Sequence, residues 1–299
     1  MDHSQIINHA KVTLDVALPG VVWGWMITLN LWAKSIATGS ILVGAFLLAR
    51  HKDEGGVTGI RKKIPLIAFI FLNIFLLFTL LDLHQPFRMV NIFFHPHFTS
   101  AITVGAWMAT ALTGVIAFMA FLAVMKNKTK GLYDLLLKVA VILAIPVTLY
   151  TAVIMGEASA RSLWQTGPEL IQMALAALLA GSAILILVGG NWSAEAKKDL
   201  AIILGVSAAM SFIMYMGEYY FSWKDAEVEA TLAAIREGGD WHFMFWLGQI
   251  IGYIAPIVLS ILALKGSTGL LKIAAICALI GLFIAKHVWL IIPQLLSLS

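Results

Sequence analysis

The sequence predicts an all-α membrane protein of eight transmembrane helices, in two four-helix bundles with both termini on the outer side (N-out, C-out). Three observations carry that fold class. Of the 299 residues, 61% are hydrophobic and only 12% charged, whereas a soluble protein has about 25% charged residues. The apolar residues fall into repeated runs at or above the ~20 residues that a helix needs to cross hydrocarbon. Basic residues are distributed unevenly between alternate loops, as expected when one face of the membrane retains them.

Taken in order, the predicted spans are 19–49, 64–83, 98–125, 133–160, 168–190, 199–221, 241–264 and 269–293. Several exceed the crossing length, so tilt or protrusion is expected. Short connections favour antiparallel neighbours. The chain divides near residue 161 into a first bundle, 1–160, and a second, 161–299. The longest connection, 222–240, is acidic and predicts a short interfacial helix. Arg50, Lys52, Arg61, Lys62, Lys63, Lys126, Lys128, Lys130, Lys197, Lys198, Lys265 and Lys272 fall on one side. Lys11, Arg88, Arg161, Lys224 and Arg236 fall on the other. By the positive-inside rule the first set faces the cytoplasm of a plasma-membrane protein.

The formal charge of +4 is carried in short loops and makes no face for nucleic acid; the partner implied by composition is membrane lipid. The single cysteine, Cys277, excludes an internal disulfide and an iron–sulfur cluster held by this chain alone, which needs several thiolates. The first fifteen residues lack a charged segment followed by a short apolar stretch and a small-residue cleavage site. The first span is therefore expected to direct insertion itself.

Lys34, Asp82, Glu157, Arg161, Glu218, Lys286 and His287 interrupt or flank these spans. An intramembrane charge costs roughly 2.5–3.5 kcal/mol on insertion scales, so such residues are functional candidates by default. Asn30 lies roughly 17 Å along span one from Pro19, and Lys34 roughly 22 Å. Tyr150 lies roughly 15 Å inward from Ala160, after Pro146, which removes one helical donor. Glu157 and Arg161 have the four-residue spacing of a helical ion pair. Glu218, His242, Lys286 and His287 map to the same outer half. A polar pocket confined to that half, with an inner half poor in ionisable groups, suits a ligand that enters from lipid and exchanges protons with the outer compartment. A quinone meets that description: its ring carbonyls need donors such as Lys, Asn, Tyr or His, and its tail stays in lipid.

Blander roles compete. Lys34 can snorkel along its stem, Asn30 can join helices through its amide, and Tyr150 can simply pack. Asp82, Glu157 and Arg161 can form a structural ion-pair network. His84, His95 and His97 fall in a presumed outer loop and read as solvated. His287 has no deep histidine partner, so neither haem nor metal is expected in this chain, with Met ligation left open. Most tryptophans fit interfacial belts or helix packing, and the glycines of ATGSILVGAF (37–46) read as close helix contact.

Four stretches carry a family resemblance: WGWMITLNLWAKSIATGSILVGAFLLA in span one, DLHQPFRM (82–89), PVTLYTAVIMGEASARSLWQTG (146–167) and FWLGQIIGYIAPIVL (245–259). In order and topology the chain resembles the NrfD/PsrC-like membrane subunits of respiratory oxidoreductases. The resemblance implies two four-helix bundles, no bound metal, and a site for menaquinone or ubiquinone near the outer face. It also implies a docked ferredoxin-like iron–sulfur subunit and a catalytic, molybdopterin-type subunit beyond it. Such proteins use an Asn and a His one turn apart on span one and a Tyr on span four; Asn30, Lys34 and Tyr150 are the matching positions. Lys34 departs from His, and the family's DLGRP-like turn becomes Asp82-Leu83-His84-Gln85-Pro86, with Arg88 available to restore the positive charge. On this basis Asn30, Lys34 and Tyr150 are expected to bind quinone. Asp82, Glu157 and Arg161 are expected to form a proton path or ion-pair network, and Glu218, Lys286 and His287 a second path. The competing classes are a secondary transporter, a haem-bearing cytochrome b-type anchor, and a structural anchor with a vestigial pocket.

Overall fold

A computed structural model describes residues 21–51, 55–83, 85–125, 130–190, 192–221 and 226–296. The expected start of span one at residue 19, together with His84, Lys11, Lys52, Lys126, Lys128 and Lys224, lies outside those ranges. Within them the regular structure is helical throughout, without strands. Eight helices are long and apolar enough to cross a membrane: α1 Trp25–Arg50, α2 Gly59–Asp82, α3 Ala101–Val124, α4 Gly131–Glu157, α5 Thr166–Val188, α6 Ala194–Phe221, α7 Asp240–Leu264 and α8 Leu270–Leu295. Helices are the expected solution here, because hydrocarbon offers no water to satisfy the backbone and each helix satisfies its own.

Local chemistry sets the differences from the predicted boundaries. α6 begins five residues earlier than expected because the Ser193 hydroxyl accepts the Ala196 N–H at 3.1 Å, a cap that satisfies one free helix donor. Lys197 and Lys198 therefore belong to its first turns rather than to a loop. α4 ends at Glu157, three residues early, and the backbone turns so tightly that a Cβ on Gly156 would overlap the Thr166 hydroxyl at the start of α5. In the acidic connection a helix, Ala226–Arg236, does form and buries Val228, Leu232 and Ile235.

Helix α1 packs against α2, α4, α5 and α8; α2 packs on α3 and α3 on α4. In the second part of the chain α5 packs on α6 and α8, α6 on α7, and α7 on α8. Burial separates inner from outer helices. The most apolar stretch of α1 is 78% buried and those of α5 and α8 61%, whereas α2, α3 and α4 reach only 33%. A lipid-facing helix leaves most of its surface to lipid, so α1, α5 and α8 form the interior column. Small residues allow that approach. A Cβ on Gly39 would overlap the Ala177 carbonyl of α5, and one on Gly181 would overlap the backbone of Gly39. The glycines read as helix contacts serve as such.

On the basic face, charges tie helices together. Arg50 and His51 at the end of α1 meet Asp199 of α6 at 2.7 and 2.9 Å. Arg61 of α2 meets Asp134 of α4 at 2.6 Å, and Lys63 donates to the Val188 carbonyl at 2.6 Å. At the opposite ends, Gln294 clamps the segment before α1: its Oε1 accepts the Val22 and Trp23 N–H groups at 2.9 Å, and its Nε2 donates to the Trp23 carbonyl at 3.0 Å.

Overpacking at the α1–α5 contact has no cheap relief, since backbone faces backbone. Gly39→Leu or Gly181→Leu is expected to cost about 1–3 kcal/mol or more and to lower the thermal midpoint in detergent. Gly114→Leu, which meets open space, is expected to leave that midpoint nearly unchanged.

Candidate functional site

The interior column brings a set of polar side chains to its centre. Lys34 of α1 is 1% exposed. Its ammonium donates to the Thr151 hydroxyl of α4 and lies 5.0 Å from the centre of the Tyr150 ring, a cation–π distance. Tyr150 is held from its other side by α3, where a Cβ on Gly105 would overlap its ring. Lys286 of α8 is buried within electrostatic range of both Lys34 and Glu169, and its ammonium lies 3.4 Å from the Met173 sulfur. Glu169 of α5 is 3% exposed and accepts the indole N–H of Trp289 at 2.9 Å. Glu218 of α6 lies within electrostatic range of it.

Leu31, Met155, Glu169, Gln172, Tyr215 and Lys286 are among the residues lining a cavity between these helices. As packed, the space amounts to about 10 Å³, enough for one water molecule. The Gln172 Nε2, buried beside it, has no partner among the described residues. A buried charge is tolerated only when paired or hydrogen-bonded; here the Lys34 ammonium has a hydroxyl and an aromatic face, and the Lys286 ammonium has a thioether and the Glu169 carboxylate in electrostatic range. The arrangement can donate hydrogen bonds to an incoming acceptor and take up a proton at Glu169.

The residues expected to act together are not all brought together. Asn30 and Lys34 lie one turn apart but diverge. The Asn30 amide donates to the Phe75 carbonyl at 2.8 Å and to the Thr79 hydroxyl at 2.5 Å on α2, whereas Lys34 turns to α4. Residues four apart are offset by about 40° on a helix of 3.6 residues per turn, and α1 sits between α2 and α4, so that offset decides the partner. Glu157 and Arg161 do not form the expected ion pair. α4 ends between them, Glu157 is exposed, and Arg161 donates to the Leu296 carbonyl at 2.9 Å. Asp82 is half-buried at the end of α2. Lys286 and His287 part company because consecutive helical residues face different ways: the His287 Nδ1 lies 2.9 Å from the Thr28 hydroxyl of α1, with its ring stacked on Phe283.

Glu169, Gln172, Thr151 and Trp289 were not singled out from sequence, since Glu169 sits at the predicted edge of span five. A signal existed: Glu169, Gln172 and Met173 recur at helical i, i+3 and i+4 spacing, which places them on one face. Among the described residues no group of three or more His, Cys, Asp or Glu side chains gathers as a metal set.

Eight crossing helices around a buried cluster of charge define a multi-pass integral membrane protein with an internal polar site. The protein belongs to the family described as "Polysulphide reductase, NrfD", whose profile matches residues 16–297. It is similar to the C subunit of the polysulfide reductase of Wolinella succinogenes, with 27% identity over 292 residues that cover 87% of this protein and 90% of the relative.

The cluster makes a stability prediction. Removing one member of a buried pair costs about 3–5 kcal/mol because the other charge is stranded. Lys286→Met is therefore expected to lower the thermal midpoint sharply, and Glu169→Gln added to it to recover part of the loss. Strict additivity of the two single changes in a double-mutant cycle would show the two groups to be uncoupled.

Proposed function

We propose that this protein is the quinone-reactive membrane anchor subunit of a respiratory oxidoreductase. It would exchange electrons between a quinone pool and a docked ferredoxin-like iron–sulfur subunit, with a molybdopterin-type catalytic subunit beyond. The observation that carries this reading is the Lys34 ammonium, buried among lipid-spanning helices and aimed at Tyr150 and Thr151. Membership of the NrfD family and the likeness to the C subunit of a polysulfide reductase support it.

The headgroup of menaquinone or ubiquinone presents two carbonyl oxygens. Lys34 donates to one of them, moving off Thr151 as the ring enters, and Tyr150 contacts the ring or the second oxygen. Asn30, whose amide holds α2, positions α1 and with it Lys34. In the quinol-oxidising direction one quinol yields a quinone, two electrons and two protons. The electrons pass to the partner's cluster, and Glu169, the buried carboxylate beside Lys286, accepts a proton. Asp82, Glu157 and Arg161, at the same helix ends, form the exit to the outer compartment. Glu218 and Lys286 adjust the charge around Glu169, and His287 fixes α8 to α1.

The basic loops support an outer placement of the site, because by the positive-inside rule they face the cytoplasm and the site lies toward the other face. The helix contacts support two sets of four helices, 1–160 and 161–299, with the site at their junction through α1, α5 and α8.

Lys34→Met and Tyr150→Phe, in complexes that still assemble, are expected to slow quinol-linked electron transfer. A hydrogen bond to a charged group is worth about 1.5–3 kcal/mol, so Lys34→Met should cost about ten-fold or more in kcat/KM. Asn30→Leu should instead reduce assembly and thermal stability. Full turnover in both the Lys34 and Tyr150 variants would remove the site.

A further inference from the structure

On the face opposite the basic loops, a cavity opens between the last turn of α6 and the helix Ala226–Arg236 of the acidic connection. Its volume is about 430 Å³, and Tyr219, Tyr220, Glu229 and Arg236 line it. That size falls within the roughly 300–1,000 Å³ usual for small-molecule sites. None of its lining residues belongs to the central cluster, and the quinone reading does not use it.

Two of the four side chains carry opposite charge, yet they do not pair. The Arg236 guanidinium donates through Nε to the Tyr219 carbonyl at 3.1 Å and through Nη2 to the same oxygen. It also lies 5.5 Å from the centre of the Tyr219 ring. Those bonds use one edge of the guanidinium and leave its Nη1 donors over. Tyr219 is itself fixed, stacked on Phe245 at 5.3 Å and meeting Trp246 edge-on at 5.8 Å. The cation is thus held in place by groups other than a carboxylate. Glu229 is exposed and is not among the ion-paired side chains of the described residues. It stands seven residues before Arg236, on the same helix face but about 10 Å away along the axis. A ligand with two opposite charges can span that gap, whereas a direct ion pair cannot.

Along the membrane-spanning part of α6 the surface turns apolar. Val206, Met210, Ile213, Gly217 and Tyr220 recur at alternating four- and three-residue spacing, which puts them on one face. Val206, Met210, Ile213 and Tyr220 are exposed, and a Cβ on Gly217 would meet nothing within 4 Å. The missing side chain leaves a depression in this stripe one turn from Tyr220. Phe221, 81% exposed, joins Tyr219 and Tyr220 at the helix end, where aromatic rings meet lipid headgroups. Polar cavity, aromatic collar and apolar stripe follow one another along α6 in the order of headgroup, glycerol and acyl chain.

Charge selects the lipid. The last turn of α6 carries partial negative charge and Glu229 a full one, so a purely anionic headgroup meets repulsion beside Arg236. A zwitterion satisfies both signs. We propose that this cavity binds the headgroup of an ethanolamine phospholipid, with an acyl chain lying along the α6 stripe. The phosphodiester accepts from the free guanidinium donors, and the primary ammonium donates to the Glu229 carboxylate. A choline headgroup has no N–H to give. The site goes beyond the quinone reading and needs neither quinone nor partner subunit.

The test is native mass spectrometry of the full-length protein, purified in detergent and stripped of lipid. Dioleoyl phosphatidylethanolamine, phosphatidylcholine and phosphatidylglycerol are offered in pairwise competition. The ethanolamine lipid is expected to bind several-fold more tightly than either rival. Glu229→Gln, an exposed change with no packing to lose, should erase that preference. Arg236→Gln should weaken all three about ten-fold or more, as for loss of a hydrogen bond to a charged group. Glycerophosphoethanolamine, which has the headgroup without acyl chains, should compete only at far higher concentration. Equal binding of the three lipids, or an undiminished preference in Glu229→Gln, would overturn the proposal and leave the two charges to a protein partner. Competition by glycerophosphoethanolamine as strong as by the lipid would overturn a lipid as the occupant. Because quinol turnover is not the readout, each result leaves the quinone assignment to be judged by the Lys34 and Tyr150 variants.

Discussion

The close approach of α1 to α5 at Gly39 and Gly181 is the constraint on which the rest depends. Lipid offers no hydrophobic drive for one helix to seek another, so packing and interhelical hydrogen bonds must do so. With no side chain at either glycine the two backbones touch, and α1 becomes the most deeply enclosed helix of the molecule. Only then can Lys34 on α1, Lys286 on α8 and Glu169 on α5 share one interior space. The close packing is therefore a precondition of the polar site and not merely a source of stability.

The site's composition follows from what an interior charge requires. Lys34 has a hydroxyl and an aromatic face, Glu169 an indole N–H, and Lys286 a carboxylate in electrostatic range together with a thioether. None is given the tight, multiply bonded partner set that a purely structural buried ion would need. Groups held this loosely can exchange partners with a ligand or with water. The glutamine beside the cavity, whose amide nitrogen is unmet, extends the same pattern.

Both membrane faces are closed by different chemistry. The basic face uses ion pairs, Arg50 and His51 with Asp199 and Arg61 with Asp134, which bind α1, α2, α4 and α6 at their ends. The other face uses hydrogen bonds to backbone and ring stacking: Gln294 on the backbone before α1, the Arg161 guanidinium on the Leu296 carbonyl, and Trp23 stacked on Trp164 at 5.2 Å.

Much of the fold was legible in the sequence, because the cost of exposing a backbone to hydrocarbon forces any long apolar run into a helix whatever surrounds it. The spans, the short helix in the acidic connection and the role of the glycines in 37–46 all came from that local requirement. The nearness of Lys34 to Tyr150 was likewise expected, each being a polar residue deep in its predicted span. Direction was not readable. Asn30 and Lys34 share a spacing but not a partner, Glu157 and Arg161 are parted by a helix end, and Lys286 and His287 face different neighbours. Glu169 gained its meaning only from helices remote in the sequence. Hydrophobicity is a property of each segment and survives in one dimension, whereas the partner of a buried polar group depends on how helices rotate and abut, which packing alone decides.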